Sequence, residues 1–179
     1  MSEISNILSD EHKNILLVID LIIDKSDKIQ SEDKASPLSK DNEKFWIEIV
    51  EFIRNYADKF HHAKEEEILF KEFCKKESEL HCNPVEQMLY EHDLGRKFVK
   101  ELEEGIKENN KEKISENALG YANLLKEHIF KEDDILYPMA EEVLDEKTKG
   151  AIIKKFRDIE NKKKHEKEKY LNFVEKIKK

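Results

Sequence analysis

The sequence predicts an all-α protein, an up-down-up-down four-helix bundle with an appended C-terminal helix. Only 4 Gly and 3 Pro occur in 179 residues, too few to separate the many short strands of a sheet protein. Apolar residues instead recur at helical spacing through five segments. A chain of this length is most simply one compact fold, and short to moderate loops favour antiparallel helical neighbours.

The first three predicted helices are set by their polar boundaries. The first runs from about Ser5 to Ile29 and ends at the polar stretch SEDKASPLSKDN, which is typical of a loop. The second begins near Asp41 and continues to the turn around Pro84. Because proline is favoured as a first helical residue, Pro84 is well placed to start the third helix.

The last two helices follow from further boundary residues. Asn109 and Asn110 end the third helix, and the fourth begins at about Lys111. Pro138 is expected to kink or end the fourth helix, because proline lacks the backbone N–H that a helix interior needs. Asp145 is expected to cap a fifth helix that runs to the C-terminus.

Charge divides the chain into two predicted parts. Residues 147–179 hold 13 Lys+Arg against 5 Asp+Glu, out of 33 and 41 in the whole chain, so residues 1–146 carry a net charge of −16. We expect a bundle over residues 1–145 and a basic helix over residues 146–179, packed on the bundle or extending from it. The acidic bundle argues against binding nucleic acid. The basic helix suits a protein partner, a homodimer or a membrane surface as alternatives to simple docking.

Two observations predict a cytoplasmic protein. No apolar run approaches the roughly 20 residues of a bilayer-spanning helix, and MSEISNILSDEHKN lacks the basic and apolar regions of a secretory signal. Cys74 and Cys82 are therefore expected to be free thiols. Together with His81 they have metal-capable side chains, but the three make no complete zinc set.

A ten-residue motif occurs twice in the chain. HHAKEEEILF at 61–70 aligns with HIFKEDDILY at 128–137, with five identical positions. Each copy follows a Glu-His pair on the preceding predicted helix, at residues 11–12 and 91–92. The order His, then His-x3-Glu, therefore occurs twice, and these histidines are the best candidates for a functional site.

Helical spacing places one histidine of each predicted bundle helix on an inner, apolar face. Leu89 and Ile135 are expected to be buried on the inner faces of the third and fourth helices. The inward histidines are His12, His61, His92 and His128.

The adjacent histidines of the second helix are distinguished by their neighbours. His61 shares a face with Ile53, whereas His62 shares one with Arg54 and Glu66. We expect His61 to face inward and His62 outward. A shift of frame by one residue, with His62 and Glu66 in place of the inward pair, is the alternative.

Two carboxylates accompany the inward histidines. Glu65 lies one turn after His61, and Glu132 one turn after His128. A buried carboxylate needs a cation, and Arg96 is the only Lys or Arg expected on these faces. Imidazoles and carboxylates that converge inside a bundle suit iron, manganese or zinc, and four His with two Glu suggest two ions bridged by the carboxylates.

These residues resemble the hemerythrin-like, or HHE cation-binding, family. The resemblance covers about residues 8–140 and is most specific in FHHAKEEEILF, LYEHDLGRKFV and EHIFKEDDILYPMA. It implies a non-haem di-iron centre in which Glu65 and Glu132 bridge two Fe ions and the histidines are terminal ligands. The implied ligands are His12, His61, Glu65, His92, His128 and Glu132.

The third helix departs from the oxygen-carrying hemerythrins. Those proteins have two histidines four residues apart on this helix, whereas Met88 and Arg96 occupy the positions four residues from His92. With six protein ligands for two irons, we expect water, a bridging oxo or hydroxo group, or a small molecule at the other positions. This departure disfavours a simple oxygen carrier.

The resemblance implies a protein that binds a small oxidant, either oxygen, nitric oxide or peroxide, for sensing, detoxification or iron–sulfur repair. The sequence leaves open whether binding leads to turnover. One alternative is a metal-responsive interaction module whose basic helix contacts a partner. The other is an iron storage or transfer protein without turnover.

Three further residues have two interpretations each. Tyr90 and Tyr121 are expected to be core tyrosines, with a supporting role at the metal site as the alternative. Arg96 either gates the site and pairs with Glu65 or Glu132, or extends outward from its helix edge.

Overall fold

The computed structural model describes residues 3–31, 36–76 and 83–178, and every regular element in these ranges is helical. The prediction of an all-α fold is confirmed. No helix of the described ranges is long and apolar enough to cross a bilayer. In chain order the α-helices are α1 (Glu3–Ser31), α2 (Lys40–Phe52), α3 (Phe70–Cys74), α4 (Val85–Lys107), α5 (Lys111–Lys131), α6 (Tyr137–Val143), α7 (Glu146–Lys162) and α8 (Lys164–Ile177).

Widened π-helical turns join several of these helices into longer rods. Segments Ile53–His62 and Glu65–Leu69 connect α2 to α3, and Glu132–Leu136 connects α5 to α6. The bundle therefore consists of α1, a second helix over residues 40–74, α4, and a fourth helix over residues 111–143. Turns of this kind, with i→i+5 hydrogen bonds, are frequent at functional sites.

Two predicted helix starts are confirmed by capping contacts. Asn110 and Asp145 accept hydrogen bonds from the backbone N–H groups of Lys113 and Thr148, as N-cap residues do. The fourth bundle helix does not end at Pro138, because the π-helical turn before it absorbs the change in hydrogen bonding. The C-terminal helix is interrupted at Lys163, where α7 gives way to α8.

Two apolar clusters fill the bundle, one at each end. Along α1, Leu8 lies in the smaller cluster and Ile15 in the larger; along α4, Met88 lies in the smaller and Val99 in the larger. The second and fourth bundle helices run the opposite way, from the larger cluster to the smaller. This alternation is the up-down-up-down order that the sequence predicted.

The C-terminal helices lie along the outside of the bundle and reach both clusters. Phe156 of α7 is buried in the smaller cluster, and Tyr170 and Val174 of α8 are buried in the larger. Burial of these side chains favours docking over an extended helix. We refer to α7 and α8 together as the C-terminal arm.

Three side chains depart from the expected faces. Leu89 and Ile135, expected inside, are 38% and 46% exposed. Lys64, not expected on an inner face, is fully buried. These differences concentrate in the two motifs and the helices packed against them. Cys74 is a free, partly buried cysteine, whereas His81 and Cys82 lie outside the described residues.

Candidate metal centre

A layer of histidine and glutamate side chains crosses the bundle between the two apolar clusters. The structure brings all six residues implied by the sequence into this layer, and each is buried. The donors form two groups, each with ligand atoms within 4.8 Å of one another. The first group is His12, His61, Glu65 and Glu132, and the second is His62, His92 and His128.

The expectation that His62 faces outward is wrong. His61 and His62 are both buried, and the ring of His62 stacks on that of His92 at 3.8 Å between centroids. The cause is the π-helical segment that ends at His62, because its wider turn changes which residues face inward. The layer thus contains a fifth buried histidine, His62, which comes from the second bundle helix and not from α4.

The two glutamates lie between the groups. Glu132 places Oε2 3.3 Å from His12 Nε2 and Oε1 3.1 Å from His128 Nε2, so each oxygen faces a different group. Glu65 Oε2 is 3.7 Å from the Nε2 atoms of both His61 and His92. This is the placement that bridging carboxylates require.

The bundle has two halves, α1 with the second bundle helix and α4 with the fourth. Two histidines are oriented by carboxylates within their own half. His61 Nδ1 donates to Glu11 at 3.0 Å, and His128 Nδ1 donates to Glu91 at 2.8 Å. A ring that donates through Nδ1 keeps its Nε2 lone pair for a metal. Both Nε2 atoms face the interior of the layer.

Two other histidines are oriented by carboxylates of the opposite half. His92 Nδ1 donates to Glu66 at 2.7 Å, and His12 Nδ1 donates to Asp133 at 3.1 Å. These two carboxylates directly follow Glu65 and Glu132 in the sequence. His62 is related to Asp58 more loosely, with 3.5 Å between Nδ1 and Oδ1. A carboxylate therefore faces the Nδ1 atom of every histidine in the layer.

The repeated motif is visible as an approximate twofold arrangement of these contacts. The Glu11–His61 contact corresponds to Glu91–His128, and Lys64 beside Glu11 corresponds to Lys131 beside Glu91. The i→i+5 hydrogen bonds from Phe70 to Glu65 and from Tyr137 to Glu132 also correspond.

The correspondence is broken at two positions of the motif. His62 aligns with Ile129, so only one half supplies an extra imidazole. Tyr137 aligns with Phe70, and its hydroxyl donates to Glu65 Oε1 at 2.5 Å and lies 3.4 Å from His12 Nε2. The two donor groups are therefore chemically different.

Electrostatics in the layer favour the neutral imidazole at His61 and His62 and the protonated imidazolium at His12 and His128. Burial lowers the pKa of His61 and His62 well below the usual range. Burial also lowers that of His12 and His128, but contacts with Asp133 and Glu132 raise the pKa of His12 to about 9. The nearby charge of Glu132, 3.1 Å away, and the hydrogen bond to Glu91 raise the pKa of His128 to about 10.

Several buried polar atoms of the layer lack a hydrogen-bond partner among the described residues. They include His61 Nε2, Glu65 Oε2 and both carboxylate oxygens of Glu132. Burial, followed by the charge of Glu132, raises the pKa of Glu65 well above its usual range. No Lys or Arg of the described chain forms an ion pair with either glutamate. These inward donors fit a pair of metal cations, which would satisfy them together.

Arg96 lies at the edge of the layer rather than on its glutamates. Its guanidinium binds Asp58 and Glu66 at 2.7 and 2.6 Å, the carboxylates beside His62 and His92, and also binds Asp93. It therefore holds Asp58 and Glu66 in place. Tyr90 is 60% exposed, which contradicts its expected place in the core.

Comparison with known proteins decides the family. Residues 3–140 match the family model described as the hemerythrin HHE cation-binding domain. The chain belongs to this family. A search of curated proteins and a search of solved structures gave no match. The matched segment of this hemerythrin-like chain begins with α1 and ends inside α6, before the C-terminal arm.

Family membership and the two buried donor groups identify a metal-binding domain. The sequence of this hemerythrin-like chain indicated His62 only as an alternative to His61, not as a donor beside it, and the carboxylates that contact the Nδ1 atoms were missed. A signal for the carboxylates was present, because Glu11, Glu66, Glu91 and Asp133 each adjoin a predicted ligand. Nothing in a helical pattern assigns such a neighbour to a histidine on a different helix.

Proposed function

We propose that this chain is a non-haem di-iron protein that binds a small oxidant, either oxygen, nitric oxide or peroxide. The observation that carries the proposal is one buried layer of five histidines and two glutamates, in which Glu65 and Glu132 contact histidines of both groups. The histidines would be terminal ligands, and Glu65 and Glu132 would bridge. His62 joins the six residues that the sequence indicated.

The donor set favours iron over a structural zinc. Structural zinc sites are usually closed by four ligands and often contain Cys. Here imidazoles and carboxylates form two linked groups, and the second contains only His62, His92 and His128 apart from the shared glutamates. When bound, a pair of Fe(II) ions supplies electron density to an oxidant that enters an open coordination position.

The protein's own groups would orient ligands and manage protons around the oxidant. The carboxylates that contact Nδ1 hold four of the histidines with Nε2 inward. The Tyr137 hydroxyl donates a hydrogen bond to Glu65 Oε1 and lies beside His12, so it is placed to deliver a proton at the first group. The apolar clusters lie on both sides of the layer and would limit the entry of water from the two ends of the bundle.

A test of this function is the metal content and visible spectrum of anaerobically purified protein. We expect about two irons per chain, and a new charge-transfer band in the near-ultraviolet and visible on addition of oxygen, nitric oxide or peroxide. Steady consumption of the oxidant would add turnover and exclude simple storage. Zinc, a single metal, or no spectral response to any of the three oxidants would contradict the proposal.

A metal-responsive interaction module is the second candidate, favoured by one contact of the C-terminal arm. Glu160 of α7 binds the buried Lys64 Nζ at 3.1 Å, and Lys64 also binds Glu11, the carboxylate that orients His61. The arm is therefore connected to a donor of the first group through three charged side chains. Both parts, residues 1–145 and 146–179, would then act together.

Glu160→Gln tests this coupling, with Glu168→Gln on the exposed side of α8 as the matched control. If the arm responds to the metal, amide exchange in α7 and α8 will differ between metal-loaded and metal-free wild-type protein, and Glu160→Gln will reduce the difference. The same exchange in both metal states of the wild-type protein would exclude the module.

A further inference from the structure

A cavity of about 290 Å³ lies beside the second donor group, between the second bundle helix, α4 and α5. His62 and His92 form part of its buried wall. Most of the remaining buried wall is apolar, from Ile53, Val99 and Leu125. The size is at the small end of the range for ligand pockets, roughly 300 Å³ and upward, and exceeds what a diatomic molecule needs.

One buried polar group in the cavity wall has no protein partner. Tyr121 is 3% exposed, and its hydroxyl makes no hydrogen bond with any described residue. A buried hydroxyl without a partner is unfavourable, and such groups are rare in folded proteins. A ligand with a hydrogen-bonding group would satisfy Tyr121, whereas oxygen or nitric oxide would do so poorly.

Cations surround the opening of the cavity. Arg54, Lys59 and Lys100 line it and are exposed. Arg54 is paired with Glu103, whereas Lys59 and Lys100 form no ion pair with any described residue. The lining acids are already engaged, since Asp58 binds Arg96 and Glu91 binds His128 and Lys131. Unpaired positive charge at one opening of an otherwise acidic bundle attracts anions.

Gly95 of α4 keeps one wall of the cavity free of side chain. A Cβ atom there would meet the Tyr121 ring at 3.6 Å and Leu124 at 3.9 Å, both ordinary contacts. A small substituent is therefore tolerated, whereas a longer side chain would extend into the cavity. This makes Gly95 the best position from which to close the cavity without touching a donor of the metal layer.

We propose that this cavity binds a small aromatic carboxylate. Its ring would lie against the apolar wall, its carboxylate would face the cations at the opening, and a second polar group would hydrogen-bond Tyr121. A multiply charged phosphate fits less well, because the buried wall offers few N–H donors. The proposal goes beyond oxidant binding and rests on wall residues that are mostly not metal donors.

Calorimetric titration of the protein as purified, with its metal, tests the proposal. The probes are 4-hydroxybenzoate, benzoate, 4-hydroxybenzyl alcohol and inorganic phosphate. We expect 4-hydroxybenzoate to bind most tightly, at one molecule per chain. Benzoate should bind about fivefold more weakly because it leaves Tyr121 unsatisfied. The neutral alcohol should also bind more weakly, and phosphate should give no saturable heat.

Three variants locate the binding. Gly95→Leu should weaken 4-hydroxybenzoate at least tenfold, whereas Gly150→Leu, at an exposed glycine with nothing within 4 Å, should not. Tyr121→Phe should remove the preference for 4-hydroxybenzoate over benzoate. Lys100→Gln should weaken both acids but not the alcohol. Tyr121→Phe and Lys100→Gln keep the test available if Gly95→Leu fails to fold.

Two outcomes would overturn the proposal. If no aromatic probe binds, the cavity serves only as an access route for the oxidant. If 4-hydroxybenzoate binds equally to wild-type protein, Gly95→Leu and Tyr121→Phe, the probe occupies the metal or another surface.

Discussion

Glu11 accepts a hydrogen bond from His61 Nδ1 at 3.0 Å, although its neighbour in the chain, His12, belongs to the same donor group. The equivalent contact joins Glu91 to His128 at 2.8 Å. Each bundle helix thus contributes a donor to the metal layer and a carboxylate that orients a histidine from another helix. A change at an outer carboxylate should therefore act on a histidine far away in sequence.

Glu91→Gln tests this cross-helix orientation. An amide at this position would bind His128 Nδ1 more weakly than the carboxylate does. Burial raises the pKa of Glu91, but hydrogen bonds from His128, Lys131 and Gln87 outweigh burial and lower this pKa to about 2. We expect metal affinity, measured by chelator competition, to fall about 10- to 100-fold. Glu86→Gln, at an exposed position on the same helix, is the control. Equal affinities in both variants would show that Glu91 does not support the centre.

Lys64 and Lys131 occupy equivalent motif positions but differ in burial. Lys64 is fully buried between Glu11 and Glu160, whereas the side chain of Lys131 is 32% exposed beside Glu91. Removing one partner of a buried ion pair costs about 3–5 kcal/mol. The loss should be smaller at Lys131, because its own side chain is partly solvated although Glu91 is buried. Lys64→Met should therefore lower the free energy of unfolding far more than Lys131→Met, as measured by urea denaturation. Equal losses would mean that Lys64 is solvated in solution.

His62→Ala separates the seven-donor centre from the six-donor centre that the sequence indicated. Because His62 belongs to the second group alone, its loss should reduce bound iron from about two per chain to about one. His165→Ala is the control, at a fully exposed histidine of α8. Unchanged iron in His62→Ala would show that His62 is not a ligand and would support the six-donor centre.

Tyr137→Phe should leave the fold intact and change the first donor group. Losing the hydrogen bond to Glu65 should cost about 1 kcal/mol of stability and accelerate release of metal to a chelator. Tyr90→Phe, at an exposed tyrosine of α4, should change neither. The assignment fails if metal release is the same in both variants.

Metal removal should destabilise the protein. A ligand that binds only the folded state adds stability that grows with the logarithm of its concentration relative to its dissociation constant. Without metal, Glu65 and Glu132 lie close together in a buried layer with no Lys or Arg of the described chain bound to them. We expect thermal unfolding to occur several degrees lower after treatment with a chelator and to recover when Fe(II) is restored. A transition unaffected by the chelator would contradict a structural contribution from the metal.

The sequence predicted much of the fold because its signals are local. Apolar spacing, and caps such as Asn110 and Asp145, depend on residues within one or two turns. The faces of His12, His92 and His128 followed from the same spacing. The expectations for His62 and Ile135 were wrong because both lie in π-helical segments, whose wider turn ordinary helical spacing does not describe.

Pairings between helices were beyond the reach of the sequence. Lys64 was not expected on an inner face. Its partners, Glu11 and Glu160, come from helices far apart in the chain, so no local pattern indicates that they pair with it. The role of Tyr137 likewise depends on Glu65, which lies on another bundle helix. The repeated motif indicated which positions correspond, but only three-dimensional packing showed where that correspondence is broken.

Above all, we propose that two metal ions lie in one layer, held by five histidines with Glu65 and Glu132 between them. The most direct measurement is a crystal structure of iron-loaded protein with anomalous diffraction at the iron edge. We predict two anomalous peaks per chain, one among His12, His61, Glu65 and Glu132, and one among His62, His92 and His128. A single peak, or two peaks with the ring of His62 turned away from both, would contradict the account.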